Sequence, residues 1–178
     1  MVAAQTGLIT TIAGPGKFGT LGDGGPATSA YLNGPHGIAF DKAGNLYIAD
    51  GSLFTANGNT GLVRMIAANT GIISIVAGGG TQGNPGDGGL ATAAYLGYPI
   101  DVALDAAGNL YISDSSSERI RMVNATTGII NTIAGNGTFG NSGDGGLATA
   151  AEVSLDQGLA VDSLSLIHIS AASERTTE

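Results

Sequence analysis

Cysteine and tryptophan are absent from the 178 residues, prolines number five, and charged side chains make up only 11%. Without cysteine there is no disulfide framework and no thiolate metal site, although this leaves the redox compartment open. Six Lys and Arg, scattered singly, form no basic patch of the kind that nucleic acid or an anionic membrane surface requires. No apolar run reaches the roughly 18 residues of a membrane span. Met1–Thr6 has neither the basic nor the apolar region of a signal peptide, so if the protein is exported its signal is expected outside this chain. The 14 acidic residues, which give a net charge of −8, are mostly single aspartates rather than acidic blocks.

Glycine, at 31 residues, is abundant without a collagen-like period, and Ile, Thr, Asn and Ala accompany it. That composition predicts an all-β chain with many tight turns, in a length suited to one domain with a sizeable core.

Self-comparison resolves the organisation. Gly22-Asp23-Gly24-Gly25-Pro26-Ala27-Thr28-Ser29-Ala30-Tyr31-Leu32 recurs 64 residues later from Gly86 to Leu96, and again 57 residues after that from Gly143 to Val153. The seven-residue difference lies between Asp50 and Arg64, within 52–59, because the equivalent Asp114 to Arg121 is shorter by that amount. One loop has grown while the flanking segments keep register, as loops tolerate and strands do not.

Each unit predicts four short strands punctuated by Gly-Asn and Thr-Gly turns. In the first these are Gly37–Phe40, Leu46–Ala49, Leu62–Ile66 and Ile72–Ala77; in the second, Val102–Leu104, Leu110–Ser113, Ile120–Val123 and Ile129–Ala134. The innermost and outermost strands lack clean alternation, so burial on both faces is expected, as in stacked four-stranded propeller blades. Ala27–Leu32 and Ala91–Leu96 predict a short helix or ordered loop between blades. An outer strand at Leu8–Ala13 and an inner strand at Gly158–Val161 stand at the two ends.

The run GDGGPATSAYLNGPHGIAFDKAGNLYIAD, the Arg-bearing strands Val63-Arg64-Met65 and Ile120-Arg121-Met122, and the TGIIxxxAG segments together resemble the NHL repeat, and are similar to the teneurin NHL domain and to GDGGxAT-type repeats of bacterial secreted proteins. The resemblance covers about Gly7 to Asp162. It implies a β-propeller of roughly six four-stranded blades, TolB-like, of which this chain holds two full blades, at about 22–78 and 86–135, and partial blades at each end. After Asp162 the chain reads Ser163-Leu164-Ser165-Leu166-Ile167-His168-Ile169-Ser170, where the pattern calls for a turn and a Leu-Tyr-Ile strand. That stretch resembles translated adapter read-through, so residues 163–178 are expected to be a non-native tail on a 1–162 propeller domain. Asp156, where the first two units have Pro35 and Pro99, weakens the third copy as well.

Three sets of residues invite a chemical reading. His36, Asp101 and Gln157 stand at the starts of the innermost strands, the rim of a propeller's channel; His36 and Asp101 are candidate metal ligands, and the plainer reading is hydrogen bonding to nearby backbone. Asp23, Asp87 and Asp144 of the GDGG segments lack the further oxygen ligands of a calcium loop and the Lys-Ser/Thr of a phosphate loop. They are expected to cap amides in turns where glycine takes positive φ. Asp50 and Asp114 close the second strands opposite Arg64, Arg119 and Arg121, which predicts acid–base pairs that hold each blade together. No Cys and no GxSxG elbow is present to carry a nucleophile.

The reading favoured is a non-enzymatic interaction module without cofactor, from a larger exported bacterial protein in the extracellular or periplasmic space. It would present loops such as Ser52–Asn59, with Phe54 and Asn57, and the rim residues His36, Asp101 and Gln157 to a protein or glycan, not to nucleic acid, and would not insert into a membrane. The alternatives are part of a metal-dependent lactonase or lyase on a six-bladed scaffold, and a self-assembling unit in which three two-blade copies close a ring.

Overall fold

The computed structural model describes residues 6–51, 61–154, 158–162 and 167–169. Two four-stranded antiparallel sheets dominate it. The first runs β1 (Pro35–Phe40), β2 (Leu46–Asp50), β3 (Leu62–Ile66), β4 (Ile73–Gly78), and the second β5 (Pro99–Leu104), β6 (Leu110–Asp114), β7 (Arg119–Val123), β8 (Ile130–Ala134). In each sheet spatial order follows chain order, because every connection is a hairpin. The eight strands coincide with the expected ones to within a few residues at their ends. The three GDGG copies each lead into a 3-10 turn, at Ala27–Ser29, Ala91–Ala93 and Ala148–Ala150, where a short helix or ordered loop was expected.

The hairpin joining the first two strands of each blade is set by one aspartate. Asp41 Oδ1 accepts the amides of Ala43 and Asn45, both at 2.9 Å, and Oδ2 accepts Asn45 Nδ2 at 2.7 Å. Asp105 does the same with Ala107 and Asn109. The free oxygens of Asn45 and Asn109 then accept the amides of Ala68 and Ala125, which ties the first hairpin turn to the last. Asn at this position thus binds two hairpins with one side chain.

The sheets stack as blades around the innermost strands, β1 against β5 and β5 against β9 (Leu159–Val161). Between the first two blades, Ala49, Val63 and Ala77 of one face meet Leu96, Val102, Ile112 and Ile130 of the next. Ile112 and Ile130 are fully buried there, each contributing about 1.5–3 kcal/mol relative to exposure. Against the third blade position, Tyr111 and Ile120 pack on Leu159.

Two expectations are corrected. β1 is not buried on both faces: Ile38 and Phe40 are each 57% exposed. Their equivalents Val102 and Leu104 are covered by the first blade, whereas among the described residues no blade covers this face of β1. Leu8–Ala13 likewise is not among the strands: Ile9 is an isolated bridge residue, and the segment lays Ile12 and Ala13 on the first blade. Its exit is nonetheless in blade register: Gly14 N donates to Ala27 O at 3.0 Å, as Gly135 N does to Ala148 O at 2.9 Å.

After Asp162, where the sequence pattern breaks, the strand does not. β10 (Ile167–Ile169) pairs antiparallel with β9 through Ile167 with Val161, His168 with Ala160 and Ile169 with Leu159. The first blade pairs Leu46 with Phe40, Tyr47 with Ala39 and Ile48 with Ile38 in the same register. Five residues separate Val161 from Ile167, as five separate Phe40 from Leu46. The Asp-to-Asn turn chemistry is lost, with Leu166 in place of Asn45, yet loop length and Ile-x-Ile alternation suffice to place a second strand.

Candidate functional site

At the starts of β1 and β5 the chain opens a cleft of about 530 Å³ lined by His36, Tyr98, Ile100, Asp101, Ser115 and Gly158. Pro35 and Pro99 fix the backbone at the two strand starts, and a bulge follows each. His36 and Asp101 are therefore brought together, but not as equivalents: counted from Pro35 and Pro99, His36 matches Ile100 and Asp101 matches Gly37. Tyr98, which sequence reasoning passed over, joins them. Tyr98 lies one residue before the strand, where the first blade has Gly34, so only its aromatic character marked it. Gln157, Phe54 and Asn57 lie outside the described residues.

Both rim residues are already engaged. His36 Nε2 and Tyr98 Oη share a hydrogen bond of 2.7 Å, with the rings edge to face at 5.1 Å. Asp101 Oδ1 accepts the amide of Val102 at 2.9 Å, and Oδ2 accepts the amide of Leu159 at 2.7 Å, across the blade boundary. Gly37 sits against Asp101: a Cβ there would strike Asp101 Oδ1 and lie 2.7 Å from its Cα. Among the described residues no group of three or more His, Cys, Asp or Glu side chains converges as metal ligands would.

The strongest electrostatic feature lies inside each blade. Arg64 is fully buried, reaching Asp50 Oδ2 at 3.2 Å through Nη1, and Asp23 Oδ2 at 3.1 Å through Nη2. Its Nε also donates to Asp23 Oδ1, at 3.2 Å. The GDGG aspartate thus serves the third-strand arginine rather than capping its own turn. In the second blade Arg121 Nη2 donates to Asp87 Oδ1 and to Pro85 O, each at 2.6 Å, and Asp87 Oδ1 also accepts the amide of Thr132 in β8, which is outside its own turn. Arg119 turns away, to the carbonyls of Ser117 and Asn136.

The second-strand aspartates complete these networks. Asp50 accepts the Asn33 amide at 2.6 Å, and Asp114 accepts those of Gly97 and Tyr98, each at 2.9 Å. Burial raises the pKa of both above the ordinary aspartate value, against the opposing pull of those amides and of the arginines. Gly22 permits the geometry: its φ is +105° and a Cβ would lie 2.7 Å from Ala30 Cα, a fit and a conformation open only to glycine.

Stacked four-stranded blades with hairpin connections define the class, a section of a β-propeller. A solved structure of a Bacteroides thetaiotaomicron VPI-5482 protein of unknown function superposes with a TM-score of 0.67 over 94% of this chain and 38% of that one, at 20% identity. The family profile described as "Teneurin NHL domain" matches residues 4–81. Teneurin-1 of Gallus gallus is 33% identical over 111 residues, 57% of this chain and 4% of that protein; Teneurin-1 of Homo sapiens is 31% identical over the same extent. Teneurin-1 of Caenorhabditis elegans is 47% identical over 51 residues, 29% of this chain and 2% of its own length. The chain therefore spans only a few per cent of the curated relatives it matches. Its repeats are thus similar to NHL repeats, by a family profile over residues 4–81 and by relatives over up to 111 residues.

Proposed function

We propose that this NHL-repeat module is non-enzymatic and belongs to a larger, exported bacterial protein, where it offers the cleft at the blade ends to a protein or glycan partner. One observation carries the reading. The two ends of the inserted 52–59 loop, Gly51 and Gly61, both close on Pro99 at the start of β5, where a Cβ on either would strike the ring. Gly61 N also donates to Leu96 O at 2.8 Å. The residues that flank the one segment that differs between the two blades thus lie beside Pro99 and Tyr98 at the cleft, where the aromatic–imidazole pair offers a recognition surface. The low charge and the Thr- and Asn-rich turns suit an extracellular or periplasmic surface.

Amide NMR titration against a panel of neutral oligosaccharides and peptides tests it, with a companion variant from which the seven inserted residues are deleted, as in the second blade. The expected result is shifts at His36, Tyr98, Asp101 and Ser115 that the deletion weakens while the fold persists. Unchanged binding in the deletion variant, or turnover of a lactone with added divalent metal, would overturn it.

A further inference from the structure

We propose that Asn136-Gly137 is a site of spontaneous deamidation, at which the folded chain itself promotes conversion of Asn136 to aspartate and isoaspartate. Three Asn-Gly pairs occur in the sequence: Asn33-Gly34, Asn57-Gly58 and Asn136-Gly137. Glycine after asparagine has no Cβ to shield its backbone nitrogen. Asn57-Gly58 lies outside the described residues. Asn33 is 7% exposed and its amide is held by the buried carboxylate of Asp50, so water is kept away and the charge beside it opposes a developing anion. Asn136 and Gly137 are both exposed, on the segment that leaves β8.

The contacts around Asn136 match what the reaction needs. The Gly137 nitrogen must lose its proton and attack Asn136 Cγ. Its N–H has no acceptor among the described residues, whereas the oxygen of the same peptide, Asn136 O, accepts Arg119 Nη2 at 3.0 Å. Deprotonation of a peptide nitrogen places charge on that oxygen, where the guanidinium stabilises it. Glycine admits this approach: φ of Gly137 is +92°, and a Cβ there would lie 2.5 Å from Arg119 Nη2. At the carbonyl under attack, Thr138 N donates to Asn136 Oδ1 at 2.8 Å, which polarises the carbonyl and holds the oxyanion that forms. Asn136 Nδ2 donates to Ala150 O at 3.1 Å, so the side chain is fixed at both ends. The bond from Gly137 N to Cγ forms, that from Cγ to Nδ2 breaks, and ammonia leaves with the proton lost from Gly137. Water then opens the cyclic imide at either carbonyl. Each conversion removes the donor to Ala150 and adds a carboxylate, and isoaspartate inserts a methylene into the main chain beside the bond from Asn136 N to Ala151 O. Gly14-Pro15-Gly16 and Gly78-Gly79-Gly80 stand at the corresponding places of the other two copies and carry no side-chain amide.

Peptide mapping by mass spectrometry, with isoaspartate separated by chromatography, reads the result on the full chain after incubation at mildly alkaline pH. Each Asn-Gly pair is scored separately, in the folded chain and in urea. Asn136 is expected to convert at least as fast folded as in urea, whereas folding slows Asn33 by about tenfold or more. Arg119→Gln is expected to slow Asn136 by about tenfold, because one charge-assisted bond to the developing anion is lost, and Arg119→Lys to restore part of the rate. Circular dichroism checks that both variants stay folded; if they do not, the comparison of folded and urea-unfolded wild type decides alone. No conversion at Asn136, slower conversion folded than unfolded, Asn33 keeping pace with Asn136, or a folded Arg119→Gln chain that converts like the wild type would each overturn the proposal. Because no ligand is used, these outcomes are separate from those of the binding titration.

Discussion

Replacing Arg64 by methionine removes the charge at the centre of the first blade while keeping much of the stem's volume. Asp50 is then a fully buried carboxylate that retains only the Asn33 amide, and the carbonyl of Tyr31 loses its donor. Breaking a buried pair by deleting one partner costs about 3–5 kcal/mol, against about 0–1 kcal/mol for an exposed pair. Asp23, partly exposed, is resolvated, so about 3 kcal/mol is expected. At a urea m-value of about 2 kcal/mol/M this moves the midpoint by roughly 1.5 M. Adding Asp50→Asn, which keeps the acceptor for Asn33, should restore about 1–2 kcal/mol. The pH dependence gives a second signature. Burial holds the folded-state pKa of Asp50 above its unfolded value, so the folded state binds more protons between the two, and this group's contribution falls as pH rises through that window. Without Arg64 the folded pKa rises further, so the deficit of Arg64→Met should be largest at neutral pH and shrink on acidification. A loss under about 1 kcal/mol with no pH dependence would refute the reasoning.

Gly37→Ala should destabilise by about 1–3 kcal/mol in chemical denaturation, because the new Cβ drives against Asp101 and parts the first two blades. Asp101→Ala should speed amide hydrogen exchange at Leu159, whose N–H it accepts across the blade boundary, while leaving Arg64 unaffected. For Asp105, burial pushes the pKa up, but hydrogen bonds from the Asn109 side chain and from nearby amides outweigh it and hold the pKa low. Its stabilising contribution is therefore present above the ordinary aspartate range and lost as pH falls through the depressed value. Asn109→Ala should raise the Asp105 pKa towards its ordinary value in an NMR titration.

The strands were legible because their Ile, Val and Tyr runs sit between Gly-Asn and Thr-Gly turns, and the repeat confirmed each run a second time. What was not legible depended on neighbours. Ile38 reads like Val102 in sequence, and it is exposed because no blade among the described residues packs on it. Ile167–Ile169 was passed over because its turn lacks Asn45's counterpart, although loop length and alternation preserve the register. The pairing of Asp50 with Arg64 was readable across a hairpin. The link from Asp23 was not, since it joins residues 41 apart through a turn whose glycines drew attention to φ rather than to a buried cation. His36 and Asp101 were found by their place at the starts of the innermost strands, although they are one position out of register, whereas Tyr98 falls just before its strand, where the first blade has Gly34, and so escaped notice.

The central claim is that two NHL blades fold alike, each closed on a buried third-strand arginine. Amide hydrogen exchange followed by NMR tests it most directly. The account predicts that Val63 and Arg64 in β3, and Ile120 and Arg121 in β7, exchange among the slowest amides, with similar protection in both blades. Slow exchange confined to one blade, or none at either arginine strand, would contradict it.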